Sequence, residues 1–403
     1  WSSDVCSSDL AMSIYKNFMN ADSKCRRKFL INMGWKGFTG FRKFRRRYKR
    51  GSLFPAFQFI SVTNDCNLRC QGCWVTTAGI PDYMPSEKID SVIEAGKKHG
   101  SYFCGILGGE PLMHPGLMDI FGKHQDCYFQ LFTNGTLFTP SVAAGLRKAG
   151  NVTPLISLEG DEVVADIRRG GHNIYKRTIE AIKTSVSEKL ITGVAISVCK
   201  SNFEMALSDE FVNRLHDMGV VYIWYYIYRP SGSNPNFELA LDADQILSLR
   251  KFLVEGRSRL PMVLIDSYWS AEGKPFCPAA DGLSHHINAA GFIEPCPVLQ
   301  IAAEKVPEGS AEALYEGSEF LKDFRDQIHR KTNGCVVMED PAWIKSFSIK
   351  HNAMNTSNRP GYIDGLERAP KLSSHGSCPV IPERNFFYRF AKRTAFFGMG
   401  AYG

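Results

Sequence analysis

The stretch from residue 60 to residue 74, ISVTNDCNLRCQGCW, constrains this chain more than any other. Cys66, Cys70 and Cys73 stand with three and then two residues between them, directly after the β-type run FQFISVT. Thiolates this close together can wrap one small inorganic centre. A zinc site made of neighbouring cysteines needs a fourth protein ligand to close its tetrahedron. An iron-sulfur cluster held by three cysteines leaves one iron free, and a free iron is a place to bind a second molecule. Buried cysteines without metal, or a zinc knuckle, are the plainer readings of the spacing alone.

The rest of the chain bounds the choice. With 403 residues there is material for two or three domains, and 44% hydrophobic and 22% charged residues describe a soluble globular protein. No apolar run reaches the roughly 18 residues that a membrane-spanning helix needs. Twelve cysteines would suit a disulfide scaffold only in a short exported chain, so a reducing cytoplasm with metal-bound thiolates is expected.

From Phe57 to Asp266 strand-like and helix-like segments alternate. Expected strands cover 57–63, 102–107, 128–132, 151–157, 191–198 and 219–228, and stretches such as SEKIDSVIEAGKKHG and NIYKRTIEAIKTSV carry apolar residues at helical spacing. Six such βα units predict a parallel sheet with helices outside it, and chemistry at the carboxyl ends of the strands. The second strand ends in Gly108-Gly109-Glu110-Pro111, where glycines allow a close backbone approach and a carboxylate can accept hydrogen bonds from an ammonium group. The third ends in Thr133-Asn134-Gly135 and the fourth in Ser157-Leu158-Glu159-Gly160, both short polar turns.

In this order the cysteine loop, the GGEP turn and the two polar turns resemble the motifs of the radical S-adenosylmethionine (radical SAM) enzymes. Those enzymes often place an aromatic residue just before the third cysteine, whereas this chain has Gly72 there and Trp74 just after. The resemblance implies an α/β fold, an open partial (β/α)6 TIM-like barrel, with a 4Fe-4S cluster on Cys66, Cys70 and Cys73. It implies that the free iron chelates S-adenosylmethionine. An electron from a flavodoxin- or ferredoxin-type reductant then yields methionine and a 5′-deoxyadenosyl radical that takes hydrogen from a substrate. By the same resemblance Gly108, Gly109 and Glu110 are expected at the cofactor's amino group, and Asn134 and Ser157 at its carboxylate or ribose. Arg168 or Arg169 is expected at the methionine carboxylate, and Val198 at the adenine. Glu159 stands where an aspartate is more usual.

Beyond the sixth strand the turn-rich segment RPSGSNPN reads as a linker, followed by a helix in DADQILSLRKFLVEG. Cys277, thirteen residues, Gly291, four residues and Cys296 then resemble the opening of a SPASM or twitch auxiliary-cluster domain. The alternation around Asn288-Ala289-Ala290-Gly291 predicts a β-hairpin that brings the flanking cysteines together. The dense four-cysteine run of a full SPASM domain is missing. Cys277, Cys296, Cys335 and Cys378 are therefore expected to complete one second 4Fe-4S cluster, with zinc as the rival occupant. His285 and His286 are expected to be exposed. Cys104, Cys127 and Cys199 read as small core hydrophobes, and Cys25 as inert.

The expected division is a non-native leader over 1–11, which includes Cys6, a basic aromatic extension over 12–54, the barrel over 55–265, the auxiliary domain over 266–380 and a basic aromatic tail over 381–403. The run FRKFRRRYKRG and the tail NFFYRFAKRTAFFGMGAYG mix rings with cations. Such segments rest on anionic membrane surfaces or bind nucleic acid, and the bland alternative for the leader is a helix packed across the barrel. The expectation is a cytoplasmic enzyme with peripheral contact at the inner face of the membrane, nucleic acid being the less favoured partner. Its substrate is left open among peptide, lipid and small molecule, peptide maturation coming first. A zinc- or nucleic-acid-binding protein without chemistry is the alternative.

Overall fold

A computed structural model describes residues 7–77, 79–307, 315 and 317–394. Cys6 and residues 395–403 of the tail lie outside them.

Six of the strands fall where alternation places them, five a little shorter than expected and the third one residue longer: β1 Phe57–Ser61, β2 Phe103–Leu107, β3 Tyr128–Thr133, β4 Val152–Ser157, β5 Gly193–Val198 and β6 Tyr222–Ile227. They run parallel in sequence order, and β7 Val263–Ile265 extends the sheet beyond β6. On the other edge β8 Ser284–Ile287 pairs parallel with β1, and β9 Ile293–Glu294 pairs antiparallel with β8. The predicted hairpin is therefore real, turning at Gly291 with φ +89°, and it lengthens the barrel sheet instead of standing apart from it.

Period-two alternation divides the sheet into two apolar layers. Phe57, Phe59, Phe103, Leu107, Tyr128, Leu155, Ala195, Tyr222 and Trp224 fill the inner face. Ile60, Cys104, Ile106, Phe129, Leu131, Ile156, Val194, Ile196, Val198 and Ile223 face the helices outside, which include α4 Ser86–Lys98, α6 Pro140–Ala149 and α8 Ile174–Ser187.

The leader forms α1 Ser7–Met19, α2 Ser23–Lys28, a π-helical turn Phe29–Trp35 and α3 Lys36–Tyr48. Phe41 and Phe44 of α3 are buried in the same apolar cluster as Phe57 and Phe103. Asn32 Nδ2 donates to the Cys127 carbonyl at 2.9 Å, and Lys36 Nζ to the Asp126 carbonyl at 2.8 Å. A Cβ on Gly40 would lie 2.1 Å from the Gly100 carbonyl oxygen, so only glycine lets α3 come this near. The leader thus packs across the amino ends of β1, β2 and β3, leaving Arg42, Lys43, Arg45 and Arg46 exposed. Cys25 is buried, and burial pushes its thiol up to about 11.

Candidate active site

At the carboxyl ends of the strands lies a cavity of about 330 Å³. All three loop cysteines line it, together with Gly108, Gly109, Asn134, Ser157, Glu159, Arg168 and Arg169. The loop is laced to the sheet by its backbone: Gly109 N donates to the Thr63 carbonyl at 2.8 Å, and Glu110 N to the Asp65 carbonyl at 2.8 Å. A Cβ at position 108 would fall 2.4 Å from the Thr63 oxygen, and one at 109 would fall 2.1 Å from that of Asp65. The glycine pair therefore seats the cysteine loop against β2 as well as bounding the cavity.

Burial pushes the thiols up, Cys66 to about 11 and Cys73 to about 12, so loading with metal releases protons. Donors wait for the charge that would follow: Leu68 N lies 3.4 Å from Cys66 Sγ, Asn134 Nδ2 lies 3.9 Å from the same sulfur, and Arg169 Nη1 lies 3.9 Å from Cys70 Sγ. Among the described residues no three His, Cys, Asp or Glu side chains are gathered closely enough for a single metal ion. The three thiols line one cavity beside these donors, and a cluster, unlike a single ion, spreads its ligands over several irons.

The helix α7 Glu162–Arg169, capped by Asp161 through Val164 N, delivers Arg168 and Arg169 side by side. Glu159 holds both, with Oε1 2.6 Å from Arg169 Nη2 and Oε2 3.5 Å from Arg168 Nη2. Burial works against the Arg169 charge, but Glu159 and the Cys70 thiol outweigh it and keep the guanidinium protonated. Arg168 also reaches Cys199 Sγ at 2.7 Å, so that thiol is a hydrogen-bond partner and not only a core hydrophobe.

Four expected positions are used differently. Glu110 is fully buried and does not line the cavity. Its carboxylate accepts from Thr133 Oγ1 at 2.8 Å, Asn134 N at 2.7 Å and Leu112 N at 3.1 Å, tying the end of β2 to the end of β3. Burial pushes its carboxyl up to about 7. Val198 faces the outer helices, because on β5 the inward phase belongs to Ala195 and Ser197, which do line the cavity. His285 and His286 are buried, not exposed: His286 bridges Ser61 Oγ at 2.7 Å and Glu294 Oε2 at 2.6 Å.

The structure brings Cys277, Cys296 and Cys335 into electrostatic contact, and burial pushes the Cys277 thiol up to about 12. Cys378 is not with them. Its charged neighbours are Arg250 and Lys251, because the turn His375–Ser377 is held by His375 Nε2 against the Phe276 carbonyl at 2.9 Å, and the sulfur that follows points into the main apolar core. Reading the sequence missed Tyr228, the last residue of the expected sixth strand, and Arg229, the first of the turn-rich segment; both follow β6 and line the cavity, and no local signal marks a side chain there as folding inward.

A parallel partial barrel with three cysteines after its first strand and an arginine pair after its fourth defines a class. Residues 60–204 match the sequence profile of the Radical SAM superfamily, whose members are enzymes that use a 4Fe-4S cluster and S-adenosylmethionine. Among the chain's relatives is the AdoMet-dependent heme synthase of Methanosarcina barkeri, 23% identical over 69% of this chain and 86% of that one. Another is the sporulation killing factor maturation protein SkfB of Bacillus subtilis, 22% identical over 72% of each. The GTP 3′,8-cyclase of Petrotoga mobilis is 26% identical over 59% of this chain and 79% of its own. Among solved structures, Streptococcus suis SuiB superposes with a TM-score of 0.59 at 15% identity, covering 84% of this chain and 81% of SuiB. No described helix is long and apolar enough to cross a membrane.

Proposed function

We propose that this enzyme carries out hydrogen abstraction on a peptide substrate, and that Cys66, Cys70 and Cys73 hold its catalytic cluster. One observation carries the reading: three thiols, a glycine pair and two arginines on one acid meet around a single cavity at the carboxyl ends of a parallel sheet. When bound, the cluster and S-adenosylmethionine supply radical chemistry of the family's type. The chain's own residues do the positioning. Arg168 and Arg169 offer donors to a carboxylate, and Asn134, Ser157 and Ser197 offer amide and hydroxyl partners.

The peptide reading is supported by the relatives SkfB and the mycofactocin maturase MftC, which are maturases by name, and by SuiB, solved with its precursor peptide. Cys277, Cys296 and Cys335 are proposed to hold a second cluster, and a flavodoxin- or ferredoxin-type protein to serve as reductant. The test is anaerobic reconstitution with S-adenosylmethionine and dithionite. Release of 5′-deoxyadenosine is expected, and its persistence in a Cys70→Ala chain would defeat the ligand assignment.

Peripheral membrane contact is proposed on the helix Phe386–Thr394, whose Phe386, Phe387 and Phe390 are 67%, 75% and 57% exposed beside Arg389 and Arg393. Flotation with anionic vesicles is expected for the full chain and lost on Phe386→Ser/Phe387→Ser/Phe390→Ser. No binding by the full chain would end the idea.

A further inference from the structure

Position 72 lies between the second and third cluster cysteines and carries no side chain. Its backbone is left-handed, φ +69°, and the space a side chain would take is already filled. A Cβ built there would lie 2.0 Å from Tyr228 Oη and 2.4 Å from Tyr228 Cε2. Residues 72 and 228 therefore cannot both carry a side chain in this arrangement.

Tyr228 is fixed from several directions. Its backbone N–H donates to the Val198 carbonyl at 2.9 Å, continuing the β5–β6 ladder for one residue past the strand. The Arg168 guanidinium sits 4.6 Å from the centre of its ring, and Asn236 N donates to its hydroxyl at 3.3 Å. The segment that follows folds back over the cysteine loop: Gly72 N donates to the Asn234 carbonyl at 2.8 Å, and Gly232, φ +77°, comes so near that a Cβ there would lie 1.6 Å from the Cys73 oxygen. Tyr228, Ser231, Ser233 and Asn234 all line the same cavity as the three thiols.

We propose that Tyr228 supplies, from the end of the sixth strand, the ring that the cysteine loop lacks at Gly72, and positions both that loop and Arg168 for S-adenosylmethionine. The inference rests on the assignment of the cavity to that cofactor. Because the ring is rooted in β6, cofactor affinity depends on the 229–236 segment as much as on the loop that holds the metal. A hydroxyl is not what the arrangement needs. A flat face for the guanidinium and a wedge against Gly72 are.

Anaerobically reconstituted chains separate this from a packing role, read by iron content, by S-adenosylmethionine dissociation constant in equilibrium dialysis, and by the change in the reduced cluster's electron paramagnetic resonance spectrum when the cofactor is added. Tyr228→Phe is expected to bind within about twofold of the parent, and Tyr228→Leu and Tyr228→Ala about tenfold more weakly with iron retained, since a desolvated cation–ring contact is worth that much. Gly72→Ala alone should lose iron or the spectral response, and Gly72→Ala/Tyr228→Ala should recover iron. Parent-like affinity in Tyr228→Ala, or a Gly72→Ala chain indistinguishable from the parent, overturns the inference alone. A parent that loads iron yet binds no S-adenosylmethionine overturns the cavity assignment and this inference with it.

Discussion

Arg229 donates through Nε to Cys335 Sγ at 3.1 Å, and its guanidinium lies 5.3 Å from the centre of the Tyr268 ring. The same side chain lines the cavity that the three loop cysteines line, so one arginine joins the two cysteine groups. Hydrogen bonds and positive charge at a cluster sulfur raise its reduction potential. Arg229→Gln is therefore expected to lower the midpoint potential of the proposed second centre and leave the proposed first one unmoved, measured by a redox titration followed by paramagnetic resonance. In the same series Cys335→Ala should cost one cluster's iron, while Cys378→Ala should keep the full amount. Iron loss in Cys378→Ala would return that residue to the ligand set.

Glu159 is 4% exposed and is the shared carboxylate of Arg168 and Arg169. Removing its charge leaves two neighbouring cations buried with no acid between them. Breaking a buried charge pair on one side costs about 3–5 kcal/mol. Glu159→Gln should therefore lower stability by about that much, whereas Arg169→Gln should cost less and weaken S-adenosylmethionine binding. Urea unfolding and equilibrium dialysis on both chains check the order.

The barrel was legible because its strands alternate large apolar residues with such regularity that β1 to β6 fall within a few residues of expectation, and the three cysteines were legible because their spacing is local. Phase and long-range return were not. Val198 belongs to the outer layer because the inward phase of β5 falls on Ala195 and Ser197, and a one-residue choice of phase flips a side chain to the other face. Arg229–Asn236 reads as a linker from its glycine, prolines and serines, yet Gly232 serves close approach to Cys73. Cys378 entered the second ligand set by counting cysteines, which carries no information about where a turn points. His286 was read as exposed because its partners, Ser61 and Glu294, come from two other strands.

His285 is buried with no hydrogen-bond partner at Nδ1, and burial pulls its imidazole down to about 3 from an ordinary 6.5. Below 6.5 the unfolded chain takes a proton that the folded chain refuses, so this group's stability contribution is whole above 6.5 and is lost as pH falls toward 3. The slope is about 1.4 kcal/mol per pH unit in that window. His285→Phe should flatten the fall in unfolding free energy between pH 6.5 and 5.5 by roughly 1 kcal/mol. An unchanged slope would mean the imidazole is protonated in the fold.

Five buried groups tie the C-terminal segment to the barrel edge, and their charges do not balance. Arg250 reaches Glu383 at 2.8 Å, Arg257 reaches Asp266 at 2.5 Å and also Glu383, and Lys392 lies 3.0 Å from Asp266 and 3.1 Å from Glu383. Three cations thus share two acids. Burial alone would raise the Asp266 carboxyl, but the Lys392, Arg257 and Arg250 charges outweigh it and hold it well below the usual carboxylate range. Removing an acid and removing a cation are therefore not equivalent. Asp266→Asn leaves three cations on Glu383 alone and should cost about 3–5 kcal/mol, whereas Lys392→Met leaves two against two and should cost about 2 kcal/mol less. Lys392→Met should still free the helix Phe386–Thr394, because the chain also loses the 2.7 Å bond from Nζ to the Trp269 carbonyl. Limited proteolysis should then clip that chain near residue 385 while its barrel melts close to the parent temperature. Equal loss of stability in the two variants would show that pairwise contacts, and not the excess of positive charge, decide how this segment is held.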